Sequence, residues 1–194
     1  MNMPRRIILA KHYRLLLALI MLACSGCSTL PNHFEKAPAD HTKAVVFDVD
    51  GTLTPMVWRF WQVREDAAKA AQRFASEGYH VFYVTARFLW LQWPLPDWLE
   101  DHDFPAGDLY VPQTWEEHRE PQPFKQQILQ QLIDDGWQLE WAFGDSTSDF
   151  RAYAEVNIPQ DHVYALQREN ADECESGPWA ACLKNWTDFL KLPR

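Results

Sequence analysis

The chain has 194 residues, 47% of them hydrophobic, with ten Trp and eleven Phe. That length bounds one domain with a short extension, and the apolar content is ample for a packed core, which excludes a disordered chain. A formal net charge of −9, from 18 basic and 27 acidic residues, argues against nucleic acid as a partner.

In chain order, residues 1–26 differ from the rest. Arg5, Arg6, Lys11 and Arg14 make a basic start with no acidic residue, and Leu15 to Ala23 is a nine-residue apolar run. A basic segment, a short apolar segment and small residues before a cut form the pattern of a secretory signal. The alternative is an amphipathic or membrane-spanning N-terminus, but nine apolar residues are too few to span a bilayer. Ser25-Gly26-Cys27 resembles the lipobox of bacterial lipoproteins, with Cys24 as the alternative lipidated residue. The resemblance implies a signal peptide over 1–26, acylation of Cys27 and a membrane anchor in the bacterial cell envelope. It places the protein facing the periplasm, and Ser28 favours the outer membrane. Residues 27–41 carry Pro31 and Pro38 without periodicity and read as a tether. With the four basic residues of 1–26 set aside, 14 basic and 27 acidic residues remain, a net of −13. Acyl chains, not charge, must then supply any attachment to an anionic membrane.

Residues 42–194 alternate strand and helix patterns. Lys43 to Asp48 is apolar and β-branched, a strand. Trp58 to Glu77 reads as a helix stopped by Gly78, with Trp61, Ala67, Ala71 and Phe74 at helical steps. His80 to Thr85 is a second strand, and the Trp-rich Phe88 to Asp101 is at best a helix broken by Pro94 and Pro96. Asp108 to Val111 is a third strand, and Phe124 to Asp135 a helix ended by Gly136. Leu139 to Phe143 is a fourth strand, Ser148 to Val156 a short helix, His162 to Leu166 a fifth strand and Trp179 to Leu190 a last helix. The alternation predicts an α/β domain with a mainly parallel five-stranded sheet between helices. Neither gap beside the second and third strands is long enough for a cap domain, so the cleft is expected to be open. Cys174 and Cys182 are expected to pair as a disulfide in an exported protein.

The chemistry lies at the strand ends. Asp48-Val49-Asp50-Gly51-Thr52 follows the first strand and Thr85-Ala86-Arg87 the second. Lys125 opens the helix before the fourth strand, which runs into Gly144-Asp145-Ser146-Thr147-Ser148-Asp149. Carboxylates so close in a sheet edge need a cation or a proton to offset them. This order and these residue types resemble the haloacid dehalogenase-like hydrolase superfamily, whose Rossmannoid fold is a three-layer sandwich. The resemblance implies that Asp48 attacks phosphorus and that Asp50 protonates the leaving alkoxide and later activates water. It implies that Thr85 donates to a phosphoryl oxygen and that Lys125 balances developing charge. Gly51, Thr52, Ala86 and Arg87 would face the substrate, and Arg87 would either grip its phosphate or pair with an acid. Mg²⁺ would be held by Asp48, Asp145, Asp149 and the carbonyl of Asp50. Asp149 also suits the N-terminus of a helix, and Lys125 suits an ordinary surface helix.

A closer resemblance is to the catalytic half of the lipin family. It is carried by Tyr83-Val84-Thr85-Ala86-Arg87, by Phe104 to Val111, by Glu120-Pro121 before Phe124-Lys125, and by Ala142 to Pro159. It departs at Asp145, where lipins usually carry Asn. It implies a phosphate-ester substrate, with phosphatidate or a related lipid phosphate favoured. A broad-specificity envelope acid phosphatase and a non-catalytic phosphatidate-binding module are the rival expectations. Phe88 to Trp98 is expected either to pack on the sheet or to form a membrane-facing lip. Oligomeric state is not legible.

Overall fold

A computed structural model describes residues 29–59 and 61–192. The expected signal segment 1–26, Cys24 and Cys27 lie outside the described residues. The strands are β1 (Lys43–Phe47), β2 (His80–Val84), β3 (Asp108–Tyr110), β4 (Gln138–Gly144), β5 (Val163–Leu166) and β6 (Ala181–Leu183). The helices are α1 (Ala67–Ser76), α2 (Leu95–Asp101), α3 (Trp115–Arg119), α4 (Pro121–Asp134), α5 (Thr147–Glu155) and α6 (Trp186–Leu190). The strands form one sheet in the order β3-β2-β1-β4-β5-β6, and every pair is parallel.

A parallel sheet covered on both faces needs strands that are apolar throughout, and β1 meets this condition. Ala44 and Val46 enter one core beside Phe124, Leu129, Phe150 and Tyr153 of α4 and α5. Val45 and Phe47 enter the other, beside Phe74 of α1 and Trp186 and Phe189 of α6. Phe143 stacks on Phe47 with ring centroids 5.0 Å apart, tying β4 to β1 at the end where the acidic loops begin. The architecture is the expected three-layer α/β sandwich.

The sheet has six strands, not five. Trp179 to Leu190 divides, because Ala181–Leu183 pairs with β5 and only Trp186–Leu190 is helical. The Asn185 side chain accepts from the Asp188 amide and so starts α6 there. Cys182 in β6 is disulfide-bonded to Cys174, with Cα atoms 5.8 Å apart. The helix expected over Trp58 to Glu77 is shortened to Ala67–Ser76. The loop before it is held by buried Arg64, whose guanidinium donates to the carbonyls of Thr54, Pro55 and Gln167. Phe88 to Asp101 is broken as expected, into a 3₁₀ turn at Leu89–Leu91 and α2. The unforeseen α3 begins with a capping box between Thr114 and Glu117.

The stretch expected as a tether is docked from residue 29 onward. Asn32 exchanges hydrogen bonds with the backbone of Val111, and the carbonyls of His33 and Glu35 accept from Tyr110 and Trp137. No described helix is long and apolar enough to cross a membrane.

Candidate active site

Asp48, Thr85 and Asp145 leave the carboxyl ends of β1, β2 and β4, three adjacent strands. The Asp48 amide donates to the Phe143 carbonyl at 2.9 Å, extending the sheet to the first acid. The chain then turns at Gly51, where φ is +89°. A Cβ there would lie 2.0 Å from Asp145 Oδ2, so glycine alone allows the β1 loop to meet the β4 carboxylate.

Three carboxylates converge. One ligand oxygen each from Asp48, Asp145 and Asp149 lies within 4.8 Å of the others, and all three residues are buried. Lys125, reaching in from α4 and itself buried, donates to Asp48 Oδ1 and Asp149 Oδ1, each at 2.5 Å. It is therefore no surface lysine. Asp149 serves both roles anticipated for it. Its Oδ2 accepts from the Asp145 and Ser146 amides and the Ser146 hydroxyl, capping α5, while Oδ1 faces the cluster. Asp145 is ion-paired with Arg168, which also holds Glu175 at 2.5 Å. Among the described residues, Asp48 Oδ2 is buried with no hydrogen-bond partner.

The electrostatics follow from that crowding. Burial raises the Asp48 carboxyl well above the usual carboxylate range; Asp149, Asp145 and Asp50 push the same way, and Lys125 opposes them. Burial and the neighbouring Asp149 push Asp145 up to about 7, although Arg168 pulls it down. For Lys125 burial works against the charge, but Asp149 and Asp48 outweigh it and lift the ammonium above its ordinary value. Three carboxylates share two cations, one of them half-committed to Glu175. An all-oxygen acidic set with one orphaned oxygen suits a hard divalent ion, and those residues fit one.

Asp50 stands on the other side. Its carboxylate accepts from the Thr85 hydroxyl at 2.7 Å, from Arg87 Nε at 3.1 Å and from Arg87 Nη2 at 2.6 Å. Arg87 thus pairs with an acid, and its guanidinium lies 4.9 Å from the centroid of the Trp61 ring. The Thr85 hydroxyl, expected to face a phosphoryl oxygen, here donates to Asp50. Asp50's carboxylate is not one of the three convergent groups, so any metal contact from it falls to its carbonyl.

A cleft of about 300 Å³ opens above Asp48, Asp50, Lys125 and Asp145, with Ala86 and Arg87 on its wall. Gly51 and Thr52 do not line it: Gly51 abuts Asp145, and Thr52 is buried with its carbonyl taken by the Trp186 indole. Several lining residues escaped the sequence analysis. Arg168 lies two residues beyond β5, and the strand-end logic used for the acids would have found it. His118, whose Nδ1 donates to the Ala86 carbonyl at 2.7 Å, carries no sequence signal of its own. Val57 was given no role and Trp58 was read as the start of a helix, yet both line the cleft.

Comparison with known proteins places this geometry in a family. Residues 45–167 match the model of the LNS2 domain of PITM 1-3. Protein retinal degeneration B of Drosophila melanogaster is 28% identical over 129 residues, which cover 64% of this chain and 10% of that protein. Human membrane-associated phosphatidylinositol transfer protein 3 is 24% identical over 151 residues, covering 75% of this chain and 14% of that protein. The chain therefore spans about a tenth to a seventh of the curated relatives it matches. Among solved structures, the D,D-heptose 1.7-bisphosphate phosphatase from B. bronchiseptica, complexed with magnesium and phosphate, superposes with a TM-score of 0.51 at 16% identity. That match covers 77% of this chain and 98% of the other. A chain of the Pnkp1/Rnl/Hen1 RNA repair complex gives a TM-score of 0.58 at 18% identity, over 73% of this chain and 47% of that one. These likenesses show the shared fold. The family model spans well over half of the sequence, with Asp48, Lys125 and Asp149 inside the match, and the chain accordingly belongs to the LNS2-domain family of PITM 1-3.

Proposed function

We propose that the protein is a Mg²⁺-dependent phosphomonoesterase that works through an aspartyl-phosphate on Asp48, with phosphatidate or a related lipid phosphate as substrate. The observation that carries this reading is the split environment of Asp48: Lys125 holds Oδ1, while Oδ2 is buried, unpartnered and beneath the cleft. Asp48, Asp145 and Asp149 would hold the ion, together with the Asp50 carbonyl, and when bound it supplies positive charge for the phosphoryl oxygens. Asp48 attacks phosphorus, the bond to the ester oxygen breaks, and a proton from Asp50 goes to the departing alkoxide. Water then attacks the phosphoryl group, Asp50 takes its proton, and the bond to Asp48 breaks to release phosphate. For this, Asp50 exchanges its bond to the Thr85 hydroxyl for one to the ester oxygen. Lys125 keeps Asp48 oriented and balances its charge throughout.

The lipid assignment draws on the cleft wall, where Val57, Trp58, Phe88 and Leu91 stand above a charged floor. It also draws on the relatives, several of which are named for phosphatidylinositol transfer. Anchoring through an acylated Cys27, or Cys24, in a bacterial envelope facing the periplasm belongs to the same proposal. Phosphate release from phosphatidate, measured against a panel of soluble phosphomonoesters with Mg²⁺, tests it. Asp48→Asn should abolish turnover, and an active Asp48→Asn enzyme refutes the nucleophile. Comparable rates on soluble esters would favour the acid-phosphatase reading.

A second reading is a lipid-phosphate-binding module without turnover. The clamp of Arg87 and Thr85 on Asp50 favours it, because a carboxylate held by three donor atoms is a poor proton donor as it stands. Phosphatidate binding with no phosphate release under Mg²⁺ would establish it.

A further inference from the structure

Among the described residues, eight large apolar side chains remain exposed; two of them line this one cleft and three more pack on residues that do. Val57 and Trp58 line it directly, and Trp58 is 75% exposed. Trp61 lies against Arg87, which lines it too. Phe88 also lines the cleft and stacks on Trp90, with ring centroids 5.2 Å apart; Trp90 meets Trp115 edge-on at 5.1 Å. Trp90 and Trp115 are 58% and 46% exposed, and Trp93 follows two residues after the cleft-lining Leu91. Aromatic rings that pack on one another and still face solvent mark a surface shaped for an interface. Tryptophan, apolar in body and with a polar N–H, is the side chain best suited to the boundary between water and lipid.

A second, independent observation gives the occupant. The described chain begins at Thr29, whose hydroxyl donates to Gln113 Oε1 at 2.8 Å, and the Leu30 carbonyl accepts from the Gln113 amide at 2.8 Å. Gln113 is two residues from Trp115. The N-terminal residues, with the apolar run Leu15 to Ala23 and the cysteines at 24 and 27, therefore join the body beside the aromatic rim. Any attachment they make to a bilayer brings that rim to it. Electrostatic adhesion is not the cause, since the chain from residue 27 onward carries 14 basic and 27 acidic residues.

We propose that the rim of Trp58, Trp90, Trp93 and Trp115 is a membrane-docking face, which seats the cleft mouth-down on a phospholipid surface. A phosphate ester then enters from the headgroup layer while its acyl chains stay in the bilayer. This rests on the lipid-phosphate reading of the site for its purpose, but not for its test.

All ten Trp lie between residues 58 and 186, so tryptophan emission reports on the body and is blind to the N-terminal segment. The full chain is floated on phosphatidylcholine vesicles with brominated acyl chains, and the quenched fraction of its emission is measured. Strong quenching is expected, insensitive to added salt. It should fall at least threefold in the variant Trp90→Ser, Trp93→Ser, Trp115→Ser, and stay unchanged in Leu192→Ser, at an exposed residue that does not line the cleft. A parent that does not float, or floats without quenching, overturns the proposal. So does equal fractional quenching in parent and rim variant. Absent quenching together with a self-associated parent that the rim variant dissociates assigns the face to a second copy of the chain instead. Turnover is read in parallel on vesicle phosphatidate and on a soluble short-chain phosphatidate. The rim variant should lose at least tenfold more rate on vesicles than on the soluble ester. Quenching without turnover on either would uphold the docking face and refute the catalytic reading.

Discussion

Replacing Lys125 by Met tests the charge balance on which the site depends. The ammonium sits 2.5 Å from both Asp48 and Asp149, with all three groups buried. At an effective permittivity near 20, each such pair contributes roughly 7 kcal/mol of gross attraction, about 13 kcal/mol for the two. Burying the ammonium costs several kcal/mol of hydration, which offsets part of this. Removing one partner of a buried pair typically costs ~3–5 kcal/mol, because the charges left behind lose their compensation. Here the remainder is three carboxylates with Arg168 as the nearest counter-charge. For a domain of this size that corresponds to a fall in Tm of about 6–20 °C. The measurement is a thermal melt in chelator and again in saturating Mg²⁺. Much of the loss should return with Mg²⁺, since a divalent ion supplies the missing positive charge. Turnover should nevertheless stay down by about two orders of magnitude or more, because the group that orients Asp48 is gone. A Lys125→Met protein that melts within about 2 °C of the parent in chelator would refute the argument, since the buried acids would then need no ammonium.

The raised Asp145 carboxyl sets a pH dependence. With its value moved from 3.8 to about 7, the folded, metal-free protein holds a proton that the unfolded chain has already released in that interval. Stability without metal should therefore decline as pH rises from about 4 to 7, and a divalent ion should raise Tm more near pH 8 than near pH 5. Equal shifts at both pH values would count against Asp145 as a ligand. Gly51→Ala adds a Cβ at positive φ and against the Asp145 carboxylate, so a loss of about 1–3 kcal/mol and a higher Mg²⁺ midpoint are expected. An unchanged Mg²⁺ titration would show that the loop yields without moving Asp145. Cys174→Ser with Cys182→Ser opens a loop of sequence separation 8, which should cost about 2.5 kcal/mol, or roughly 5–10 °C by differential scanning calorimetry. Thiol labelling of the native parent would show that the bridge is missing.

The parts of the site that were legible in the sequence are those where local pattern and chemistry coincide. An apolar strand followed by Asp48-Val49-Asp50-Gly51 has one economical explanation, and so does Gly144-Asp145 running into a capped helix. Lys125 was legible only through its place in the order of motifs; its burial comes from α4 packing on the sheet beside Phe124 and Ile128, which periodicity did not reveal. The fold was over-read where a helical period persisted without a helix. Trp61 keeps the spacing of α1 but lies in the loop before it, which Arg64 pins by donating to the carbonyls of Thr54 and Pro55. Conversely Ala181–Leu183 is too short to announce itself, and it is a strand only because β5 offers an edge. The partner of Arg87 was undecidable because Asp50 and Arg87 stand 37 residues apart, and only the pairing of β1 with β2 brings them together.

That pairing explains why the two aspartates, one residue apart, are set to different work. Strand order places β2 on one side of β1 and β4 on the other. Side chains leaving β1 toward β2 meet Thr85 and Arg87, so Asp50 is fully engaged by donors. Asp48 meets Lys125 together with the two acids of the β4 loop, and one of its oxygens is left without a partner. A single turn thus yields one carboxylate that is satisfied and one that is not. The unsatisfied oxygen is costly to the metal-free fold, since its group is buried among like charges. Sheet topology and not sequence spacing creates the asymmetry, so exchanging the two side chains' surroundings, rather than their identities, is what would exchange their roles.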